Sequence, residues 1–190
     1  MECGLAHVDT EFVVFCDADT FYPTHYLRRC AEVFAAAPPN VSSVMAVDLA
    51  APPVSGATRR RQIRKMTKSR IYTNQCLTGG FGQTFRTATL RAAGGFSTKH
   101  WPFVLEDHEV MHRVLKIARS RYDFDLWRIP SKRRADRSKV DWTTLEKRLY
   151  GILPFALKDW YFYSFLSKRL VARKQDLLAL REKTWLKEPG

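Results

Sequence analysis

Apolar and polar positions along the chain alternate between strand-like runs and helical periods. Phe12-Val13-Val14-Phe15-Cys16 is a short, continuously apolar run ending in acidic residues, which predicts a strand buried on both faces of a parallel sheet. Pro23 opens a helical stretch over 25–37 that Pro38-Pro39 stops. Residues 41–49 read as a second strand, 50–57 as a Pro- and Gly-containing loop, and 59–72 as a basic helix. The glycine-rich stretch Gly79-Gly80-Phe81-Gly82 leads into a short strand or turn near Thr84-Phe85-Arg86. Residues 87–93 form a short helix closed by Gly94-Gly95. Over 106–118, Val110, Val114 and Ile117 recur at helical spacing with Leu115 beside them. Residues 122–129 read as a strand, 132–139 as a basic loop, and the pattern from Trp142 onward as helical with a break at Pro154. Strands alternating with helices indicate an α/β sheet followed by a helical tail, divided at about residue 140 into segments 1–140 and 141–190.

Composition narrows the class. The 190 residues are 45% apolar and 13% aromatic, which excludes a disordered chain. No window of 18 uncharged apolar residues exists to span a membrane, and the N-terminus lacks the basic-then-apolar order of a signal peptide. Cys3, Cys16, Cys30 and Cys76 have neither close pairing nor metal-type spacing, so they read as reduced thiols of a cytosolic protein. The net charge of +13 implies anionic company: nucleic acid, nucleotide phosphates or an acidic membrane surface.

Asp17 and Asp19 stand where ligands bind in open α/β sheets, outside the carboxyl end of a strand. Two carboxylates one residue apart supply hard oxygen ligands for Mg²⁺ or Mn²⁺, and the metal in turn holds phosphates. By itself the pair also fits two solvated turn carboxylates. Haloacid-dehalogenase-type phosphatases place Asp-x-Asp after an apolar strand too, but they need a later Gly-Asp-x-x-x-Asp-like motif that this chain lacks. The segment Val13-Val14-Phe15-Cys16-Asp17-Ala18-Asp19-Thr20, with Pro23 and Leu27 following, resembles the Asp-x-Asp segment of family 2 glycosyltransferases. That resemblance implies a partial GT-A fold: a Rossmann-like mixed sheet with flanking helices. It also implies Asp19 as a metal ligand and Asp17 as a ligand of the metal or of the donor's ribose.

A second block is more specific. Gly82-x₃-Arg86, a short helix with Leu90, Gly94-Gly95-Phe96, a loop, then Glu106-Asp107-His108-Glu109 with Arg113 on the next turn looks strongly like the same family. An inverting transferase needs a base for the acceptor hydroxyl, and a carboxylate at a helix N-terminus is kept ionised by the helix dipole. By the resemblance Asp107 is that base and Glu106 stands beside it in the acceptor pocket. Asp107 could equally cap the helix, and the two roles are compatible. In the family the Gly94-Gly95 turn lines the acceptor and donor sugar; the bland alternative is a helix stop. Trp101 either stacks on a sugar ring or packs in the core.

Several features compete. His108-Glu109-Val110-Met111-His112 is a literal His-Glu-x-x-His, the zinc-metallopeptidase pattern. Arg113 and Glu106 stand where such proteases keep uncharged residues, and no glycine-histidine extension follows. One basic cluster comprises Arg59, Arg60, Arg61, Arg64, Lys65, Lys68 and Arg70; the other comprises Lys132, Arg133, Arg134, Arg137 and Lys139. Such runs are commonly solvated faces, or grips for nucleic acid in a non-catalytic anion-binding module. In GT-A enzymes a loop at the second cluster's position closes over the donor diphosphate, which makes Arg133 and Arg134 phosphate-clamp candidates. The Gln-x-x-Arg-Trp signature of processive synthases is absent, so a single sugar addition is expected. The apolar, aromatic stretch 149–170 is flanked by Arg148, Lys168 and Arg169. It suits either an interfacial helix on an anionic bilayer or a helix packed on its own domain.

The resemblance thus implies a nucleotide-sugar donor and a glycan or lipid-linked acceptor, while the reduced thiols point to a cytoplasmic location and an interfacial tail would add peripheral contact with the membrane face. A GT-A domain normally has βα units before its Asp-x-Asp strand. Only 16 residues precede Asp17 here, so the first half of the nucleotide-binding sheet is expected to lie elsewhere or to come from a partner.

Overall fold

The computed structural model describes residues 2–131 and 142–176. A short helix α1 (Glu2–Ala6) leads into β1 (Phe12–Val14), followed by α2 (Tyr26–Ala35), β2 (Val41–Asp48) and α3 (Gly56–Ile71). Then come β3 (Gln83–Arg86), α4 (Thr87–Ala92), α5 (Glu106–Ile117), β4 (Arg119–Arg128) and α6 (Thr144–Ile152). After Pro154 the chain runs through α7 (Lys158–Trp160), a π-helical stretch Tyr161–Leu166, and α8 (Ser167–Ala172).

The sheet order is β1-β3-β2-β4, with β3 antiparallel to both β1 and β2, and β2 parallel to β4. This is the expected mixed sheet, but it corrects the reading of the first strand. Only Phe12–Val14 is extended, its pairing is antiparallel, and among the described residues β3 is its one neighbour. The strand buried on both faces is β2 instead. Its alternation explains the two layers: Val44 and Ala46 join Tyr26, Cys30, Val33 and Phe34 under α2, whereas Met45 joins Phe85, Leu90, Val110, Met111 and Val114 under α4 and α5.

The helices of residues 142–176 are packed on the sheet domain. Tyr161, Phe162, Leu166 and Leu170 bury against Trp101 and Val104. Thr143 caps α6 in a reciprocal box with Glu146. Glu146 is itself buried and accepts from Arg169 at 2.7 Å and Arg173 at 2.9 Å, which joins α6 to α8. Asp159 is bonded by His112 Nε2 at 2.7 Å and Lys116 Nζ at 2.6 Å, and Tyr163 donates to Glu109 at 2.5 Å; both contacts tie this segment to α5.

Candidate active site

Both acidic turns are attached to one loop. After β1 the chain turns through Asp17 to Thr20, where the Thr20 amide donates to the Asp17 carbonyl at 3.1 Å, and Phe21 then pairs with Ile129 beyond the end of β4. The Tyr22 hydroxyl accepts from the Asp17 amide at 3.2 Å and donates to the Phe81 carbonyl at 2.5 Å. One residue before Phe81, the Gly80 amide donates to Asp107 Oδ2 at 2.6 Å. Asp17 and Asp107, 90 positions apart in sequence, are thereby fixed to adjacent residues of the 79–82 loop.

Gly80 lies close against Asp107: a Cβ there would stand 3.0 Å from the Asp107 Cβ, so a side chain would press on the carboxylate's own residue. Beneath the loop, the buried Gln83 side chain donates to the Thr78 carbonyl at 3.2 Å and the Asp107 carbonyl at 3.3 Å. Arg128, buried at the end of β4, donates to Asp48 Oδ1 at 2.5 Å and to the Gly79 carbonyl at 3.4 Å, with Phe81 below its guanidinium. The loop is thus held from β2, β4 and the Asp17 turn together.

Asp107 is the second residue of α5, and a fifth of its side chain is accessible. Burial favours its neutral form, but the His108 imidazole and hydrogen bonds from His108 and the Gly80 amide outweigh this and hold its carboxyl below the ordinary carboxylate range. Its Oδ1 accepts from the His108 amide and from Nδ1, each at 2.9 Å. The residue at the cap position is Leu105, held in the left-handed region at φ 65° with no side-chain cap. Such a backbone costs a bulky L-residue about 1–2 kcal/mol, and it turns the chain so that Glu106 and Asp107 begin the helix. Glu106 is half-buried beside Asp107. Asp17 and Asp19 are half-buried, and the carboxylate oxygens of Asp19 are out of contact with solvent. Asp17 and Asp19 would supply hard carboxylate oxygens of the kind Mg²⁺ or Mn²⁺ takes, and the ion would in turn hold phosphates. Among the described residues no group of three or more His, Cys, Asp or Glu side chains could hold a metal by itself.

The other candidates divide. Gly94 and Gly95 are left-handed (φ 83° and 58°) and close α4: the Gly95 amide donates to the Leu90 carbonyl at 2.8 Å. Arg113 donates to the carbonyls of Ala93 and Gly95, so the Arg of the family-like block braces this turn. Phe96, next in the chain, packs on Phe15 at 4.6 Å, two residues before Asp17. Arg86 has a similar bracing role, bonding Glu11 at 2.5 Å and lying over Phe12 and Phe34.

Trp101 as a sugar platform is corrected. It is 2% exposed, its indole N–H donates to the Val104 carbonyl at 2.8 Å, and Phe103, Phe162 and Tyr163 surround its ring. The zinc arrangement is not formed either. His108 turns to Asp107, His112 to Asp159, and Glu109 is buried in an ion pair with Arg113 at 2.7 Å. Arg133 and Arg134 lie outside the described residues. Tyr22, Asp48 and Arg128 join the site although no motif pointed to them; the glycine-rich stretch was the visible signal for the loop they hold.

No protein-family model and no curated protein matches the sequence. Among solved structures, the chain is similar to the mannosyltransferase PcManGT from Pyrobaculum calidifontis in complex with GDP-Man and Mn²⁺. The TM-score is 0.57 and the identity 18%, over 94% of this chain and 55% of that one. Residues 1–349 of S. aureus TarS in complex with UDP-GlcNAc align at TM-score 0.49 and 17% identity, over 95% and 55% of the two chains. The chain therefore spans about half the length of the solved structures it matches. Over that half, its mixed sheet and flanking helices share the GT-A-like fold of that mannosyltransferase.

Proposed function

We propose that the chain takes part in an inverting, metal-dependent glycosyl transfer of the family 2 type, from a nucleotide-sugar donor to a hydroxyl of a glycan or lipid-linked acceptor. The observation that carries this reading is the 79–82 loop, to which the Asp17 turn and Asp107 are both hydrogen-bonded. The likeness to a mannosyltransferase solved with GDP-Man and Mn²⁺ supports it. Asp19 and Asp17 would hold the Mg²⁺ or Mn²⁺, and the ion would neutralise the departing diphosphate.

Asp107 provides the base. The acceptor oxygen forms a bond to the anomeric carbon as that carbon's bond to the diphosphate oxygen breaks, and the diphosphate leaves with the electron pair. The acceptor proton passes to Asp107 as the new bond makes the hydroxyl acidic. Gly80 and His108 fix the carboxylate's orientation and keep it ionised. Glu106, adjacent on the same helical turn, orients the acceptor.

The proposal extends to peripheral contact with an anionic membrane on its cytoplasmic face. Ile152, Leu157, Trp160 and Val171 are exposed on the C-terminal helices, and no helix among the described residues is long and apolar enough to cross a membrane. It extends also to a further segment or partner pairing beside β1.

The test is Mn²⁺-dependent binding of nucleoside diphosphates, read by calorimetry. Asp19→Ala is expected to weaken it at least about tenfold, or ~1.4 kcal/mol. Equal binding by both proteins would remove Asp19 from the mechanism. Steeply salt-dependent nucleic-acid binding that ignores Asp19 would instead favour the non-catalytic anion-binding module.

A further inference from the structure

Arg61, Arg64, Lys65 and Lys68 stand at i, i+3, i+4 and i+7 of α3, which puts four cations on one helical face. Like charges at that spacing repel, so the helix gives up stability to carry them. Among the described residues none of the four forms an ion pair. The Asp48 carboxylate, whose charge acts on Lys65, is engaged by Arg128 at 2.5 Å.

The face does not simply point into solvent. It forms one wall of a cleft of about 250 Å³, whose other wall is built from Val47, Leu77, Thr78 and Tyr122. Lys65 is drawn into the cleft floor, where its ammonium donates to the Asp48 carbonyl at 2.7 Å, and its burial lowers its pKa. The opposite wall is braced by two hydrogen bonds: the Tyr122 hydroxyl accepts from the Leu77 amide at 2.7 Å and Thr78 donates to the Ala46 carbonyl at 2.6 Å. Drug-sized ligands need roughly 300–1,000 Å³, so this cleft suits a small anion or the anionic end of something larger. Thr78 precedes Gly79 and Gly80, the residues packed against Asp107.

We propose that the α3 cleft is a phosphate-binding subsite, separate from the Asp17–Asp19 turn, that takes a terminal phosphate or diphosphate group. In the glycosyl-transfer reading, on which this last step rests, that group belongs to the acceptor. The cleft anchors it one loop away from Asp107, so the acceptor is an anionic molecule rather than a neutral glycan.

Inorganic pyrophosphate titrated into the whole chain without divalent metal provides the test. The native chain is expected to bind it saturably, and Arg64→Glu with Lys68→Glu to weaken binding at least about tenfold. Both positions are exposed, and circular dichroism checks that α3 is retained. Arg59→Glu with Arg70→Glu makes the same charge change on the opposite face of α3 and is expected to stay within about twofold. No saturable binding, or an equal loss in the control pair, overturns the subsite. Asp19→Ala is expected to keep full pyrophosphate affinity, and the Arg64/Lys68 pair to keep Mn²⁺-dependent nucleoside diphosphate binding, so failure of either site is visible without the other. Flotation with zwitterionic vesicles, with and without phosphatidic acid, separates the sources of the phosphate. Capture that needs phosphatidic acid and is lost in the Arg64/Lys68 pair assigns a lipid phosphate. Capture unaffected by the pair, with pyrophosphate binding lost, assigns a soluble one.

Discussion

At the residue scale, the candidate carboxylates were legible in the sequence and the residues that brace them were not. Asp17, Asp19 and Asp107 stand in ordered motifs, whereas Arg128 reaches Asp48 from 80 positions away, a pairing no local pattern encodes. Trp101 shows the same limit: the sequence displays an aromatic ring but not the Val104 carbonyl that satisfies its indole. The depressed pKa of Asp107 has a kinetic consequence. If Asp107 is the base, the acid limb of kcat/KM falls below the ordinary carboxylate range, and His108→Phe, which removes one donor and its charge, is expected to move that limb upward. A pH–rate profile of both proteins checks this. Gly95 offers a stability counterpart. It is left-handed at φ 58°, and a Cβ would stand 2.7 Å from Leu5 Cδ2. Gly95→Ala is expected to cost about 2 kcal/mol or more in urea unfolding, and Leu5→Ala in the same chain to recover the steric share.

At the element scale, periodicity located most helices and strands to within a few residues, because amphipathic spacing is a local property. It could not give the direction of β1, since an apolar run encodes burial but not a partner. Nor did it mark Tyr161–Leu166 as π-helical, a wider turn that carries Tyr163 to Glu109. That contact makes α5 and the C-terminal helices one mechanical unit. Glu109 is fully buried between Arg113 and Tyr163. Glu109→Ala leaves the mostly buried Arg113 without its counter-charge and is expected to cost about 3–5 kcal/mol, whereas Tyr163→Phe removes one hydrogen bond to a charged group, at about 1.5–3 kcal/mol. Denaturant midpoints of the two variants test the ranking. Since Arg113 also holds Ala93 and Gly95, the first change should loosen the Gly94-Gly95 turn, readable as faster amide exchange there.

At the scale of the whole molecule, the charge excess of +13 is carried mostly on surfaces, but Lys158 is 2% exposed, bonded to the Tyr150 carbonyl and stacked 3.9 Å from its ring. Burial lowers its pKa to about 8. Between there and about 10.4, the ordinary lysine value, the unfolded chain binds a proton that the folded chain does not, so folding stability rises with pH across that window by up to about 3 kcal/mol. Lys158→Met is expected to flatten this slope in unfolding measured at pH 8 and 10. The sheet order has a consequence in time. Val14 faces Thr84, 70 positions further along, and β4 reaches β2 across a still longer span, while α5 can form from nearby residues. Closing so long a loop brings β1 in late. The Asp17 turn is then among the last parts of the molecule to assemble, and a refolding chain should recover its helical signal before it gains the proposed divalent-ion binding.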